Sequence, residues 1–195
     1  MSAPVERVAA VVLAAGESRR FGGPKLIVPF EGKPLLQHAL DAANGSSVAE
    51  VIVIVGHAAH EVLAAIDLGR ARGIVNEAYA SGQASSLQAG LRAAANADAV
   101  VVVLGDQPRV TPALIDVVVE RQRSARAAAV VCTWRGRRSP PTLLHRDLWP
   151  ALKALSGDVG ARDLLASRDD VAVVDVAGAL GTLEDVDRPD DLAQM

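Results

Sequence analysis

Five short runs of this 195-residue chain are almost unbroken aliphatic sequence: residues 8–13 (VAAVVL), 51–55 (VIVIV), 99–104 (AVVVVL), 128–132 (AAVVC) and 171–176 (VAVVDV). A strand with one wet face alternates apolar and polar residues. These runs do not alternate, so both of their faces must be covered, as in a parallel sheet held between helices. The intervening segments supply the helices. Residues 34–45 (PLLQHALDAANG) end in the helix-stop pair Asn44-Gly45, and residues 58–66 (AAHEVLAAI) carry apolar side chains at helical spacing. Residues 85–97 do the same, and residues 111–125 open with Thr111 as N-cap and Pro112 at the first helical position. The alternation predicts an α/β chain: a doubly wound, Rossmann-like, mostly parallel sheet with helices on both faces.

In such sheets ligands bind beyond the carboxyl ends of the strands, which nominates the loops after Leu13, Val55, Val75 and Leu104. Aromatic residues make up only 3 % of the chain while half of it is hydrophobic, so the core must be aliphatic. The length suits one domain over 1–195, with the looser stretch after Cys132, RGRRSPPTLLHRDLWP and then SGDVGARDLL, read as an insertion packed beside the sheet. A net charge of -3 gives no whole-molecule attraction for nucleic acid or an anionic membrane. The lone cysteine, Cys132, falls in a strand run and reads as a buried residue. No apolar stretch reaches spanning length, and the expectation is a cytoplasmic protein.

The first strand breaks into LAAGESRRFGGPK, where Gly16, Gly22 and Gly23 mingle with Arg19, Arg20 and Lys25. Glycine tolerates the positive φ that lets successive N–H groups converge on an anion, and Arg20 and Lys25 can add charge-assisted bonds to phosphate oxygens. The loop is not a Walker A motif, because five residues separate Gly16 from Gly22 and Leu26 follows Lys25. Nor is it G-x-G-x-x-G, since Glu17 and Ser18 follow Gly16. An ordinary solvated loop is the plain alternative.

Three further segments carry chemistry. GDQP (105–108) sets Asp106 just past a buried strand, where one carboxylate can hold Mg²⁺ together with substrate phosphates; an Asx turn before Pro108 is the competing reading. Residues 76–90 (NEAYASGQASSLQAG) lead into a helix that Ser85 or Ser86 can cap, leaving N–H groups for an anion. LEDVDRPDDL (183–192) places five acids in ten positions, as a charged surface turn would. The four histidines share no metal-ligand spacing, although His57 and His60 follow a strand. Trp134 and Trp149 flank the cationic RGRRSPP segment and read as sealing a hydrophobic cluster, with Trp149 able to border a ligand.

LAAGESRRFGGPK resembles the L-A-A-G-x-S-x-R-F-G-x-x-K signature of the MobA-like nucleotidyltransferases, and more closely that of the molybdenum cofactor cytidylyltransferases. The resemblance implies a nucleotide-diphospho-sugar transferase-like fold, with the nucleotide on residues 1–133 and the acceptor on residues 134–195. It implies that Leu13, Ala14, Ala15, Gly16, Gly22, Gly23 and Lys25 wrap a triphosphate, with Arg20, Lys25 and Asp106 catalytic. Asn76, Gly82 and Ser86 become candidates for base and ribose contact, with Ser85 as the competing cap. Asp106 and Asp185 become ligands of Mg²⁺, and Asp187 a cap, although either of these last two acids could be the second ligand. Ala15, where guanylyl relatives carry glycine, and the DQP form lean toward CTP. SGDVGARDLL resembles the element facing the pterin, which nominates Asp158 and Arg162 for the acceptor; Pro140 stands where that branch has a histidine.

The activity so implied is transfer of CMP from CTP to molybdopterin with release of pyrophosphate, with a client molybdoenzyme as a further implied partner. A guanylyltransferase, or a transferase for a sugar phosphate or phospholactate, keeps the fold and changes the substrates. A non-catalytic carrier of the cofactor, serving as chaperone for a molybdoenzyme, is the alternative from another class.

Overall fold

The computed structural model describes Ser2 and residues 5–193. Its main sheet has seven strands: β1 (Val8–Ala14), β4 (Glu50–Val55), β5 (Arg72–Val75), β6 (Ala99–Leu104), β7 (Ala129–Trp134), β8 (Arg137–His145) and β9 (Val171–Asp175). They lie in the order β5-β4-β1-β6-β8-β7-β9. β2 (Pro29–Phe30) and β3 (Lys33–Pro34) form a small antiparallel ribbon. Every pairing in the main sheet is parallel except the two made by β8, which runs antiparallel to both β6 and β7.

The aliphatic runs are strands because helices cover both of their faces. From β1, Ala10, Val12 and Ala14 point into one core with α1 (Leu35–Gly45), α2 (Ala59–Ala65) and α4 (Pro112–Ala125). Ala9 and Val11 point into the other, with α3 (Gln83–Ala93), α5 (Trp149–Lys153) and α6 (Ala161–Ala166). Each fully buried Val, Leu or Ile contributes about 1.5–3 kcal/mol relative to exposure. Thr111 caps α4 as its sequence predicts, accepting from Leu114 N at 3.2 Å. A final short helix, α7 (Pro189–Leu192), closes the described chain. Cys132 is buried in β7, and that burial pushes its thiol up to about 12.

Two expectations need correction. The stretch after Cys132 is not an insertion beside the sheet, because it supplies β8, which lies within the sheet between β6 and β7. Its two prolines fit because they lie at a register shift: Ser139 pairs with Cys132 and Thr142 with Val131, so Pro140 and Pro141 face no partner there. Nor do Ser85 and Ser86 cap α3. The helix starts two residues earlier than expected, with Gly82 as N-cap, and the Ser85 hydroxyl turns back to donate to Gly82 O at 2.8 Å. Among the described residues no helix is long and apolar enough to cross a membrane.

Candidate active site

The chain builds outward from β1 to β4 and β5, then returns to lay β6 on the other side of β1. The strand order therefore reverses between β1 and β6, where an open α/β sheet leaves a crevice at its carboxyl edge. Leu13 and Leu104 are register partners at that edge, and Gly105 N donates to Leu13 O at 2.9 Å. A Cβ on Gly105 would come within 2.8 Å of a Leu36 methyl and 3.1 Å of Leu13 O, so the turn after β6 seats closely on its neighbours. Asp106 is thereby set against the loop that follows β1.

Lys25 opens a 3-10 turn (Lys25–Ile27) and reaches back into the crevice. Its Nζ donates to Asp106 Oδ2 at 2.6 Å and to Val186 O at 2.5 Å, and Val186 N in turn donates to Asp106 O at 3.0 Å. Val186 is itself buried with Phe30 and Leu35, flanked by Phe21 and Leu192. The acidic C-terminal segment is thus clipped across the mouth of the cleft by hydrogen bonds and an apolar plug. Arg20 Nη1 donates to Asp187 Oδ2 at 2.5 Å, and Asp187 Oδ1 lies 3.9 Å from Lys25 Nζ. Asp187 does not cap α7 as expected: it lines the cleft, while Asp191 accepts from the backbone N–H groups of Asp187 and Arg188.

Asp185 keeps an open path to solvent, but the protein crowding it and the negative charge of Asp106 together raise its carboxyl above the ordinary aspartate range. Solvent access keeps that effect modest. Among the described residues its carboxylate accepts a long hydrogen bond from Gln107 Nε2, at 3.5 Å. The buried Gln107 amide also bonds Ser139 Oγ and Leu183 O, tying β8 and the C-terminal segment to the GDQP turn. Three carboxylates here face two ammonium or guanidinium groups. That surplus of hard anionic oxygen suits a divalent cation shared with phosphates. Among the described residues no group of three or more His, Cys, Asp or Glu is placed to hold a metal by itself.

Three cavities run together along the carboxyl edge. One of about 330 Å³ is lined by Leu13, Ala14, Gly16, Arg20, Lys25, Asp106 and Asp187. A second, about 460 Å³, shares Leu13, Gly16 and Asp106 with it and adds Ala15, Tyr79, Gly82, Gln83, Ser86 and Asp158. The third, about 350 Å³, shares Gln83 and Asp158 with the second. Gly22 and Gly23 line none of these three; Gly22 has φ +80, and its N–H turns back to Ser18 O.

Asn76 is buried and spends its amide on Ser85 Oγ and Ser86 Oγ, at 2.9 and 3.1 Å. It therefore fixes the first turn of α3 from behind, while Ser86 and Gly82 reach the cleft wall. Gly82 has φ +109, and a Cβ there would fall 2.3 Å from Gly157 C. Across that contact Gly157 O accepts from Ala84 N at 3.1 Å, so the SGDVG turn caps α3 and leaves fewer of its N–H groups for a ligand than the sequence suggests.

The third cavity has an apolar floor of Val102, Val131, Thr142 and Leu144, and a charged rim of Arg138, Asp158, Arg162 and Asp163. Arg162 Nη2 is 3.5 Å from Arg138 O. Its walls come from both sides of residue 133, with Val102, Leu104 and Val131 before it and Arg138, Asp158 and Arg162 after it. Arg138, Gln83 and Tyr79 line the cleft without having been singled out in the sequence; for Arg138 the cationic RGRRSPP run was the available signal. Trp149 is buried beneath the Arg146 guanidinium and borders none of the three cavities, and the His57 ring packs against Tyr79.

The family described as MobA-like NTP transferase domain matches residues 10–171. The chain is 31% identical over 187 residues to nicotine blue oxidoreductase of Paenarthrobacter nicotinovorans, covering 92% of each chain. It is 31% identical over 192 residues to the purine catabolism protein PucB of Bacillus subtilis, covering 93% of this chain and 92% of that one. A probable molybdenum cofactor guanylyltransferase of Pyrococcus horikoshii is 32% identical over 128 residues, 66% of this chain and 63% of its own. Among solved structures, Rv0371c from Mycobacterium tuberculosis H37Rv superposes with a TM-score of 0.86 at 32% identity, over 100% of this chain and 98% of that one. Rv0371c in complex with manganese superposes at 0.81 with 28% identity, over 97% of each.

Proposed function

The chain belongs to the MobA-like family of nucleotidyltransferases, and from that premise we propose that it transfers CMP from CTP to molybdopterin with release of pyrophosphate. The observation that carries the reading is Lys25 and Asp106 meeting at 2.6 Å in one cleft, over the point where the strand order reverses and beside the glycine- and arginine-bearing loop. The names of the two full-length relatives do not include nucleotidyl transfer, so the activity rests on these residues and on the family.

In this reading the triphosphate lies along Gly16 to Lys25, with Arg20 and Lys25 on its oxygens, and the nucleoside extends over Ala15, Gly82 and Ser86. Asp106 and Asp185 hold Mg²⁺, which neutralises phosphate charge when bound. The acceptor occupies the third cavity, its flat apolar part on the floor of β6, β7 and β8 and its anionic group near Arg162 and Asp158's turn. A terminal phosphate oxygen of the acceptor then forms a bond to the α-phosphorus of CTP while the bond to pyrophosphate breaks. That oxygen is already ionised at neutral pH, so no general base is needed. The side chains align the reactants and offset accumulating negative charge.

Ala15 and the Gln107 of GDQP support CTP, since both follow the cytidylyl form. The Pyrococcus relative supports a GTP reading of the same site. Pyrophosphate release from CTP, GTP and ATP, with and without molybdopterin, separates them. The proposal requires release that depends on both CTP and acceptor, and a strong GTP preference would replace it with the guanylyl reading. A carrier without catalysis would need no metal-aligned phosphate grip, and Asp106→Asn retaining full in vivo function would favour it.

A further inference from the structure

Gln107 is fully buried and lines none of the three cavities, so its amide touches no ligand directly. Its orientation is fixed nonetheless. Leu183 O, 3.2 Å from Nε2, can only accept, so the nitrogen and not the oxygen must face it. The fold keeps this orientation although it leaves Gln107 Oε1 buried with no partner among the described residues. The same Nε2 donates to Ser139 Oγ at 2.8 Å. A serine oxygen that accepts from a fixed N–H turns its own proton elsewhere, and among the described residues that proton has no acceptor. Ser139 lines the third cavity. Side chains of a regular strand alternate, which would face Ser139 away from Thr142 and Leu144. The register shift between Val131 and Cys132 instead brings all three onto one cavity wall. Pro140, on the same wall, offers no side-chain hydrogen-bonding group.

Resting on the proposed function, we infer that Ser139 is a specificity-determining residue for the acceptor and Gln107 its positioning residue: the buried amide locks the serine hydroxyl as a hydrogen-bond donor toward the third cavity, which selects a flat ring carrying a carbonyl oxygen or ring nitrogen at that edge. The aliphatic floor of Val102, Val131 and Leu144 holds any flat ring of the right size, and the rim arginines hold any anionic substituent. Neither distinguishes one ring from another. A hydroxyl locked as donor does, because a ring with no lone pair at that point strips the hydroxyl of water and gives nothing in return. A free serine could turn to suit either kind of edge; one whose lone pair is taken by Gln107 cannot. A mostly apolar pocket with a few fixed polar groups is how ring orientation is ordinarily set.

The test is calorimetric binding of two stable probes to the full chain: pterin-6-carboxylate, and 2-naphthoate, which keeps the flat bicycle and the carboxylate but has no ring lone pairs. The variants are Ser139→Ala, Gln107→Met, the two combined, and Arg162→Ala, with circular dichroism verifying that each is folded. Ser139→Ala should weaken the pterin at least about fivefold and 2-naphthoate less than about twofold. Gln107→Met frees the hydroxyl to turn, so it should weaken the pterin too, and the double variant should match Ser139→Ala alone. Arg162→Ala should weaken both probes alike, since both carry the carboxylate. Ser139→Ala should leave CTP binding in Mg²⁺ unchanged. The inference is overturned if Ser139→Ala weakens both probes alike or neither, or if it weakens CTP. It is also overturned if Gln107→Met leaves the pterin untouched, or adds its loss to that of Ser139→Ala in the double variant. Wild type binding neither probe, or Arg162→Ala weakening neither, overturns the placement of the acceptor in the third cavity with it.

Discussion

Replacing Lys25 with Met tests whether the cleft depends on one buried ammonium. The Lys25 side chain is 11 % exposed and that of Asp106 23 %, so their ion pair is largely shielded from water. The substitution removes two charge-assisted hydrogen bonds, to Asp106 and to the Val186 carbonyl. It leaves that carbonyl without its donor and Asp106 facing Asp185 and Asp187 uncompensated. Hydrogen bonds to a charged group contribute about 1.5–3 kcal/mol each, and water reaching Asp106 offsets part of one. The expected loss is about 2–4 kcal/mol, or a fall in Tm of about 5–15 °C for a chain of this size. Urea unfolding followed by circular dichroism measures it, in EDTA and again with Mg²⁺. Part of the loss should return with Mg²⁺, because a divalent ion beside Asp106 replaces the missing charge. Pyrophosphate release should fall by a further about 2–4 kcal/mol in kcat/KM, roughly 30- to 1000-fold. A stability change below about 1 kcal/mol in EDTA is what an exposed ion pair would give, and would refute this reasoning.

Gly82→Ala should destabilise by at least about 2 kcal/mol, seen in thermal melts, because φ +109 and the 2.3 Å approach to Gly157 C leave no room for a methyl group. A silent substitution would mean that α3 and the SGDVG turn are not in contact. Arg162→Ala should raise KM for the acceptor while leaving KM for the nucleotide unchanged, measured by varying each in turn; an effect on the nucleotide alone would move Arg162 to the other subsite. Asp98 Oδ2 accepts from Arg7 N at 2.8 Å and Glu6 N at 3.0 Å, and the Arg7 bond is the main cause that holds its carboxyl below the ordinary range. With the folded value depressed, its contribution is present above the unfolded value and disappears as pH falls through the folded one. Wild type should therefore exceed Asp98→Ala by about 1 kcal/mol at pH 6, with the gap closing below about pH 4 in pH-dependent urea melts. A gap that persists or widens in acid would exclude this linkage.

The strands that could be read from sequence are those whose surroundings are uniform. Val51, Ile52, Val53, Ile54 and Val55 are all fully buried, so the run itself records two apolar faces. β8 escaped notice because its first half is exposed and cationic and its middle holds two prolines, signals that ordinarily argue against a central strand. The bulge that admits those prolines exists only in the pairing with β7, which local sequence does not contain. The same holds within the cleft. Lys25 and Asp106 were legible because strand ends fix their place. Which acid of the C-terminal segment lines the cleft was not, because it depends on Val186 being plugged beside Phe30 and Leu35, which sets Asp187 on Arg20 and Asp185 against Gln107. Asn76 was nominated as a ligand contact by the family resemblance, and packing turns its amide onto two serines.

The most direct measurement is a crystal structure with Mn²⁺ and a CTP analogue that cannot be cleaved between its α- and β-phosphates. The account predicts triphosphate density along Gly16 to Lys25, with an anomalous manganese peak bound by Asp106 and Asp185. Arg20 would have left Asp187 for a phosphate oxygen. Nucleotide density outside the cleft between β1 and β6, or manganese bound away from Asp106, would contradict it.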